Sequence, residues 1–451
     1  MEKWSLGYAI LKLVVRFSFW MSHKRIVVRG KENIPKGVPI IFAANHQNAL
    51  MDPLAVLCTN NSQPVWLARA DIFKNKRLRP ILRFLKILPV YRIRDGKSSL
   101  GRNEAIFKQA IEILEKKKVL ALFPEAAHSE KRQMLTHKKA VPRIAFQAEE
   151  KNDFKLHLQV VPVGIFYSHY WHFNRKLIVQ YGQPILVDNY QDEYETNPLQ
   201  ATLMLRDEIR NRLESLTIEI SSNNHYNNYE LFREIIRSDF TTAIHRNKNK
   251  TFNRFLNDQQ LMKILEEREK TAPEEFEVIH PRADEYRNLL DRHHLNLHAV
   301  NKKNKNPEHL FLRFVATILI SPFLIAGFLL HGIPFLIPRF YTRKHVKEAA
   351  FYCSFQFVTG MIAYLIFCLI IAVTTFYFSE NILLPIVAVS AYLLFGKIVY
   401  LISQFSQKTI DQFRLFIFSK KNQPTAKRLL KLKDLLIKSI DRQITTGDQL
   451  D

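Results

Sequence analysis

Cysteine is scarce in this chain: three in 451 residues, Cys58, Cys353 and Cys368. That excludes a disulfide framework, and two of the three fall in apolar segments, so a reducing compartment is the simplest reading for the main domain. Acidic residues are also in short supply, 42 against 66 Lys and Arg, for a formal net charge of +24. The deficit suits a polyanionic partner: nucleic acid, anionic lipid, or a phosphorylated or CoA-type ligand. Nucleic acid is set aside because no recognised binding motif accompanies the charge. A cleavable leader is missing too. Residues 4–21 are apolar but carry Lys12 and Arg16, and no small-residue cleavage site follows. Residues 190–306 lack any catalytic constellation. Their His293-His294 pair has no Cys or acidic partner at zinc spacing, so no metal site is assigned.

What is present divides into five stretches. Residues 1–24 read as an amphipathic helix, with Ser5, Lys12 and Arg16 on one narrow stripe and Trp4, Leu11, Phe17 and Trp20 on a wide apolar face. Two readings fit it: a helix lying in the membrane interface with its basic residues near headgroups, or one packed on its own domain. Residues 25–220 alternate strands with helices, an α/β pattern with candidate strands at 25–28, 38–44, 65–68, 119–123, 156–166 and 177–181 and a clear helix at 102–117. Residues 221–310 read as a solvated helical insert and linker. Residues 311–403 are membrane-like. The prolines and glycines of 311–340 predict a broken, re-entrant path, whereas 358–378 and 382–402 are long enough to span. Residues 404–451 form a basic tail with an amphipathic helix at 426–440.

Four stretches of the α/β region carry chemistry. The strand 38–44 ends in Asn45-His46, with Asp52 shortly after. A carboxylate there can fix one imidazole nitrogen and leave the other as a general base. The same spacing is also met in a strand-end His that merely bonds a nearby acid. Arg92 and Arg94 follow a second strand-like stretch and offer planar forks for a phosphate. Phe123-Pro124-Glu125-Ala126-Ala127-His128-Ser129 follows a third strand. There Glu125 could accept hydrogen bonds from a polyol, and small residues let a ligand approach the backbone. Val160-Val161-Pro162-Val163-Gly164 is a fourth strand, whose Pro and Gly predict an unusual backbone near its end.

The order and spacing of these blocks resemble the glycerolipid acyltransferase family, which includes 1-acylglycerol-3-phosphate and glycerol-3-phosphate acyltransferases. That family reads Asn-His, a gap, Asp; then an arginine; then Phe-Pro-Glu-Gly; then a Val-Pro-Val-type strand. Here five residues rather than four separate His46 from Asp52, as in a branch acylating glycerol 3-phosphate or dihydroxyacetone phosphate. Ala126 stands at the familiar Gly, and His128-Ser129 reverses that branch's Ser-His.

The resemblance implies a mixed sheet flanked by helices, followed by the helical insert and C-terminal transmembrane helices. It implies a fatty acyl thioester, acyl-CoA or acyl carrier protein (acyl-ACP), as co-substrate, with no metal or bound cofactor. The acceptor would be glycerol 3-phosphate or a lysophospholipid. His46 would be the base and Asp52 its orienter, with Asn45 and Gln47 positioning the pair. Arg92 or Arg94 would take the acceptor phosphate, and Glu125, His128 and Ser129 would line the acceptor site. Backbone amides near the motif would hold the oxyanion. The expected protein is integral to the membrane, touching membrane lipid, with its active domain on the cytoplasmic face. A catalytically silent lipid-binding protein on the same fold, or a thioesterase, is the alternative reading.

Overall fold

The structure, a computed structural model, describes residues 4–91, 101–170, 173–236, 250–301, 307–348 and 351–447. It divides into two compact units, Met1–Glu219 with Val346–Ser354, and Ile220–His345 with Phe355–Asp451.

The first unit is built on one eight-stranded mixed sheet. Its strands are β1 (His23–Arg29), β2 (Ile40–Ala44), β3 (Val65–Arg69), β4 (Ile87–Val90), β5 (Val119–Leu122), β6 (Gln159–Tyr167), β7 (Arg175–Tyr181) and β8 (Ile185–Leu186). The order is β1-β7-β6-β2-β5-β3-β4, with β8 against β6. Strands β2, β3, β4, β5 and β6 run parallel, whereas β7 and β8 pair antiparallel with β6. All five residues of β2 are buried, which is what a strand covered on both faces requires. Ile41 and Ala43 join the core under the helices α4 (Arg102–Glu115), α5 (Ala140–Lys151) and α7 (Pro198–Leu216). Phe42 points the other way, onto Tyr181 at 5.7 Å between ring centroids. On that face lie α1 (Leu6–Ser22) and α2 (Met51–Thr59). The short helices α3 (Arg79–Phe84) and α6 (Gln191–Thr196) complete the unit.

Two details differ from the sequence reading. The Val-Pro-Val-Gly block is regular strand, and its glycine is there for space: a Cβ on Gly164 would lie 2.5 Å from the Leu216 carbonyl oxygen. In α1 Ser5 and Lys12 of the polar stripe face the protein, while Arg16 is exposed. Lys12 Nζ donates to the carbonyls of Asn60 and Ser62 at 3.0 and 2.6 Å, and burial lowers its pKa to about 8. Its basic head is therefore not directed to lipid headgroups. The outward face is apolar instead, with Trp4, Leu6, Ile10, Leu13, Phe17 and Trp20 all exposed.

The second unit is helical: α8 (Tyr226–Ile236), α9 (Lys250–Thr271), α10 (Pro273–Arg292), α11 (Leu297–Asn301), α12 (Pro307–His345), α13 (Tyr352–Ser379), α14 (Leu383–Lys421) and α15 (Gln423–Gly447). Three of these, α12, α13 and α14, are long and apolar enough to cross a membrane. Helix α12 takes in Pro322, Pro334 and Pro338, in the stretch where the sequence predicts a broken, re-entrant path. Each proline removes one amide donor, but an isolated lost bond in a long apolar helix is tolerated. Helix α14 likewise runs on to Lys421 instead of stopping near residue 402. The tail helix α15 packs on α8, α9 and α10 and buries Leu429, Leu432, Leu436 and Ile440, so its apolar face is already covered by protein.

Candidate active site

The sheet brings several of the sequence blocks to one edge. Strands β2, β3, β4 and β5 are parallel, so their C-terminal ends lie together, where open α/β sheets carry their ligands. His46 follows β2, and Glu125 follows β5. Arg92 and Arg94 follow β4 but lie outside the described residues.

His46 and Asp52 form the expected pair. Nδ1 of His46 meets Oδ2 of Asp52 at 2.9 Å. A carboxylate oxygen accepts, so Nδ1 carries the proton and Nε2 is left as the base. The same oxygen also accepts from the amides of Gln47 and Asn48 at 2.8 and 2.7 Å. Three donors on one oxygen hold the carboxylate, itself 1% exposed, in a single orientation. Ala49, with φ 39°, makes a tight turn just ahead of α2. The His46 ring stacks on Phe123 at 4.0 Å and 14°. Its side chain is 16% exposed, so the ring is held on its flank yet can be reached.

The neighbours brace this loop. Asn45 exchanges two hydrogen bonds with the backbone of Ile165, locking the end of β2 to β6. The Tyr170 hydroxyl donates to Gln47 Oε1 at 2.6 Å, and Asn48 Nδ2 donates to the Tyr170 carbonyl at 3.3 Å. Asn45 and Gln47 thus position the loop.

Glu125 has a different use from the polyol contact the sequence suggests. Its Oε1 accepts from the His46 amide and its Oε2 from the Leu135 amide, both at 2.8 Å. It is a brace between the catalytic loop and residues 132–137. Burial pushes its pKa up to about 8, against the pull of the two amides, and the charges of Asp52 and Glu219 add to the rise. Ala126 lies at φ 56°, the left-handed region where glycine is favoured, and this explains the glycine that the resembling family carries there. The Ser129 hydroxyl turns into its own loop, donating to the carbonyls of Lys131 and Gln133. The Ser129 amide donates to the His46 carbonyl at 3.2 Å. His128 stands edge-on to His46, with centroids 5.4 Å apart, and burial lowers its pKa.

The amides of His46, Gln47 and Asn48 are all engaged by carboxylates, so they are not the free oxyanion donors expected of this loop. Leu135 and Tyr170 had no local signal in the sequence, since each reaches the loop only through the fold.

Comparison with known proteins agrees with this geometry. Residues 25–166 match the family model described as Acyltransferase. The chain is 26% identical over 219 residues to the 1-acyl-sn-glycerol-3-phosphate acyltransferase of Borreliella burgdorferi, covering 47% of this chain and 81% of that one. It is 30% identical over 116 residues to the glycerol-3-phosphate O-acyltransferase 2 of Saccharomyces cerevisiae, covering 26% of this chain and 16% of the yeast protein. The crystal structure of the 1-acyl-sn-glycerophosphate acyltransferase of Thermotoga maritima aligns at 21% identity and a TM-score of 0.33, over 45% of this chain and 78% of that chain.

In the second unit there is one group of metal-type ligands among the described residues: His225, Glu269 and His280, with ligand atoms within 4.8 Å of one another. The two imidazoles stack flat, 3.7 Å apart and 5° from parallel. Their in-plane lone pairs therefore run side by side and do not converge on one ion. Glu269 accepts from the Tyr229 hydroxyl and pairs with His280 Nε2 at 2.9 Å. The group is a hydrogen-bonded packing cluster in this arrangement.

Proposed function

We propose that this chain is a membrane-bound O-acyltransferase of glycerophospholipid synthesis, moving a fatty acyl group from acyl-CoA or acyl-ACP to a hydroxyl of glycerol 3-phosphate or a lysophospholipid. The observation that carries the reading is the His46–Asp52 pair, 2.9 Å apart at the C-terminal edge of the sheet, within the residues that match the Acyltransferase family model.

In this reaction Nε2 of His46 takes the proton of the acceptor hydroxyl as its oxygen bonds to the thioester carbon. Asp52 stabilises the imidazolium that forms. The tetrahedral oxyanion collapses, the carbon–sulfur bond breaks, and the imidazolium returns its proton to the leaving thiolate. Phe123 beneath the His46 ring holds the plane of the imidazole. Arg92 or Arg94 takes the acceptor phosphate, and the sequence names of the relatives point to acceptors of that type. The active domain lies on the cytoplasmic face, where the basic loops also belong.

Purified full-length protein, one labelled acyl-CoA or acyl-ACP and a panel of acceptors test this by mass spectrometry. Glycerol 3-phosphate or 1-acylglycerol 3-phosphate should gain one acyl chain, and His46→Ala should lose nearly all transfer. Arg92→Ala or Arg94→Ala should raise the acceptor KM more than the donor KM, with Lys rescuing only in part. Free fatty acid without ester would make the chain a thioesterase. No turnover with any donor would favour a silent lipid-binding protein.

A further inference from the structure

The segment joining α12 to α13 runs into the first turn of α13, which begins at Tyr352. Val346–Ser354 belongs to the first compact unit, with the sheet. One of its side chains reaches the His46–Asp52 loop and another reaches His128 beside it. Ser354, only 4% exposed, accepts a hydrogen bond from the Leu50 amide at 3.0 Å through its Oγ. Phe351 stands edge-on to His128 at 4.9 Å and 76°, and His128 stands edge-on to His46.

Leu50 is where the loop most needs an outside partner. It occupies the N-cap position of α2. The amides of Met51, Asp52 and Leu54 donate to the carbonyls of Asn48, Ala49 and Leu50. The Leu50 amide just ahead of them turns to a distant side chain. Asp52, in the first turn of α2, is committed to His46 and its two neighbouring amides. Ala49, just ahead of Leu50, is held at a positive φ that an L-residue resists. A helix start that follows a strained turn drifts unless something fixes it, and a drift of about 1 Å at a general base is costly. Ser354 supplies the acceptor for the Leu50 amide from a position 304 residues away.

We propose that Ser354 is a positioning residue for acyl transfer, holding the His46–Asp52 loop from the connector between two membrane-length helices. This rests on the acyl-transfer reading above. Phe351 is the second point of attachment, closing the far side of His128. Ser354 itself lies in the first turn of α13, a helix of membrane length.

The test uses full-length protein carrying Ser354→Ala or Ser354→Thr. With Ala, kcat should fall about tenfold while both KM values stay within about twofold, the pattern of a lost transition-state alignment. Thr keeps the hydroxyl and should restore most of kcat. Amide hydrogen exchange across residues 46–52 should quicken with Ala and not with Thr, while β2 and β5 stay protected in both, which verifies folding. Unchanged exchange in Ser354→Ala overturns the proposal, as does faster exchange with undiminished kcat. If wild-type protein transfers no acyl group, the proposed function fails, and the exchange arm still decides whether Ser354 holds the loop.

Discussion

At the scale of single residues, the site turns on how two carboxylates spend their oxygens. Asp52 collects three donors on one oxygen and thereby fixes the tautomer of His46. Asp52→Asn can still accept a hydrogen bond but loses the charge that stabilises the imidazolium. We expect kcat to fall by roughly a hundred- to ten-thousand-fold, measured with saturating donor and acceptor. Glu125 spends one oxygen on each of two backbone amides. Gln offers only one acceptor oxygen there and leaves one N–H facing an NH₂, at a cost of about 1–3 kcal/mol. The pH dependence has a definite sign. The folded pKa of Glu125, about 8, stands above the ordinary carboxyl value, so the folded protein holds that proton more tightly than the unfolded chain. Its stabilising contribution is full below the ordinary carboxyl pKa and is lost as pH rises toward about 8. The melting-temperature gap between wild type and Glu125→Gln should narrow across that range. A gap that widened would mean that Glu125 is charged in the fold. Ala126 offers a gain: at φ 56°, Ala126→Gly should relieve left-handed strain and add a net ~0.5–1 kcal/mol in chemical denaturation.

At the scale of elements, what was legible depended on how local the signal was. The buried strands announce themselves as short apolar runs, and the residues after β2 and β5 stand out because polar groups follow so abruptly. The site blocks were readable for that reason. The partners that brace them were not. Tyr170, Leu135, Phe351 and Ser354 are ordinary residues locally and matter only through contacts set by the fold. Glu125 was legible as a site residue but not its use, because backbone amides leave no mark in a sequence. Helix α1 shows the same limit. Its amphipathic pattern could be read either way round, and the fold turns Lys12 inward. The outward face then exposes six large apolar side chains, and burying each in a bilayer interface gains roughly 1.5–3 kcal/mol. A protein retaining only Trp20, with Trp4, Trp66 and Trp171 replaced by Phe, tests this in vesicles. Brominated lipid should quench Trp20 emission strongly. Emission at the wavelength of water-exposed Trp, insensitive to the bromines, would place the face away from lipid.

At the scale of the whole molecule, membrane sidedness follows from chain connectivity as a hypothesis. No apolar run of membrane length occurs between residues 25 and 306, so the chain reaches α12 on the side that holds the acyltransferase domain. The connector Val346–Ser354 packs within that domain's unit, so the chain is on the same side again where α12 ends. A segment with both ends on one side does not cross. Residues 313–331 of α12 run antiparallel beside 392–413 of α14, with Phe314 on Phe413, Phe323 on Phe395 and His331 on Tyr392. We therefore expect α12 to enter the bilayer beside α14 and return, although its length and composition would permit a span. Only α13 and α14 then cross, joined by Ser379, Glu380 and Asn381 on the far face. Charge agrees with this arrangement. Arg339, Arg343, Lys344 and Lys347 and the basic tail fall on the domain's side, and the short far loop has no Lys or Arg. Single cysteines at Tyr341, Glu380 and Thr425, in a chain whose Cys58, Cys353 and Cys368 are replaced by Ser, can be probed in intact cells with an impermeant thiol reagent. Position 380 should react and positions 341 and 425 should not. Labelling at 341 but not at 380 would overturn the arrangement, and with it the inference that the connector docks on the catalytic side of the membrane.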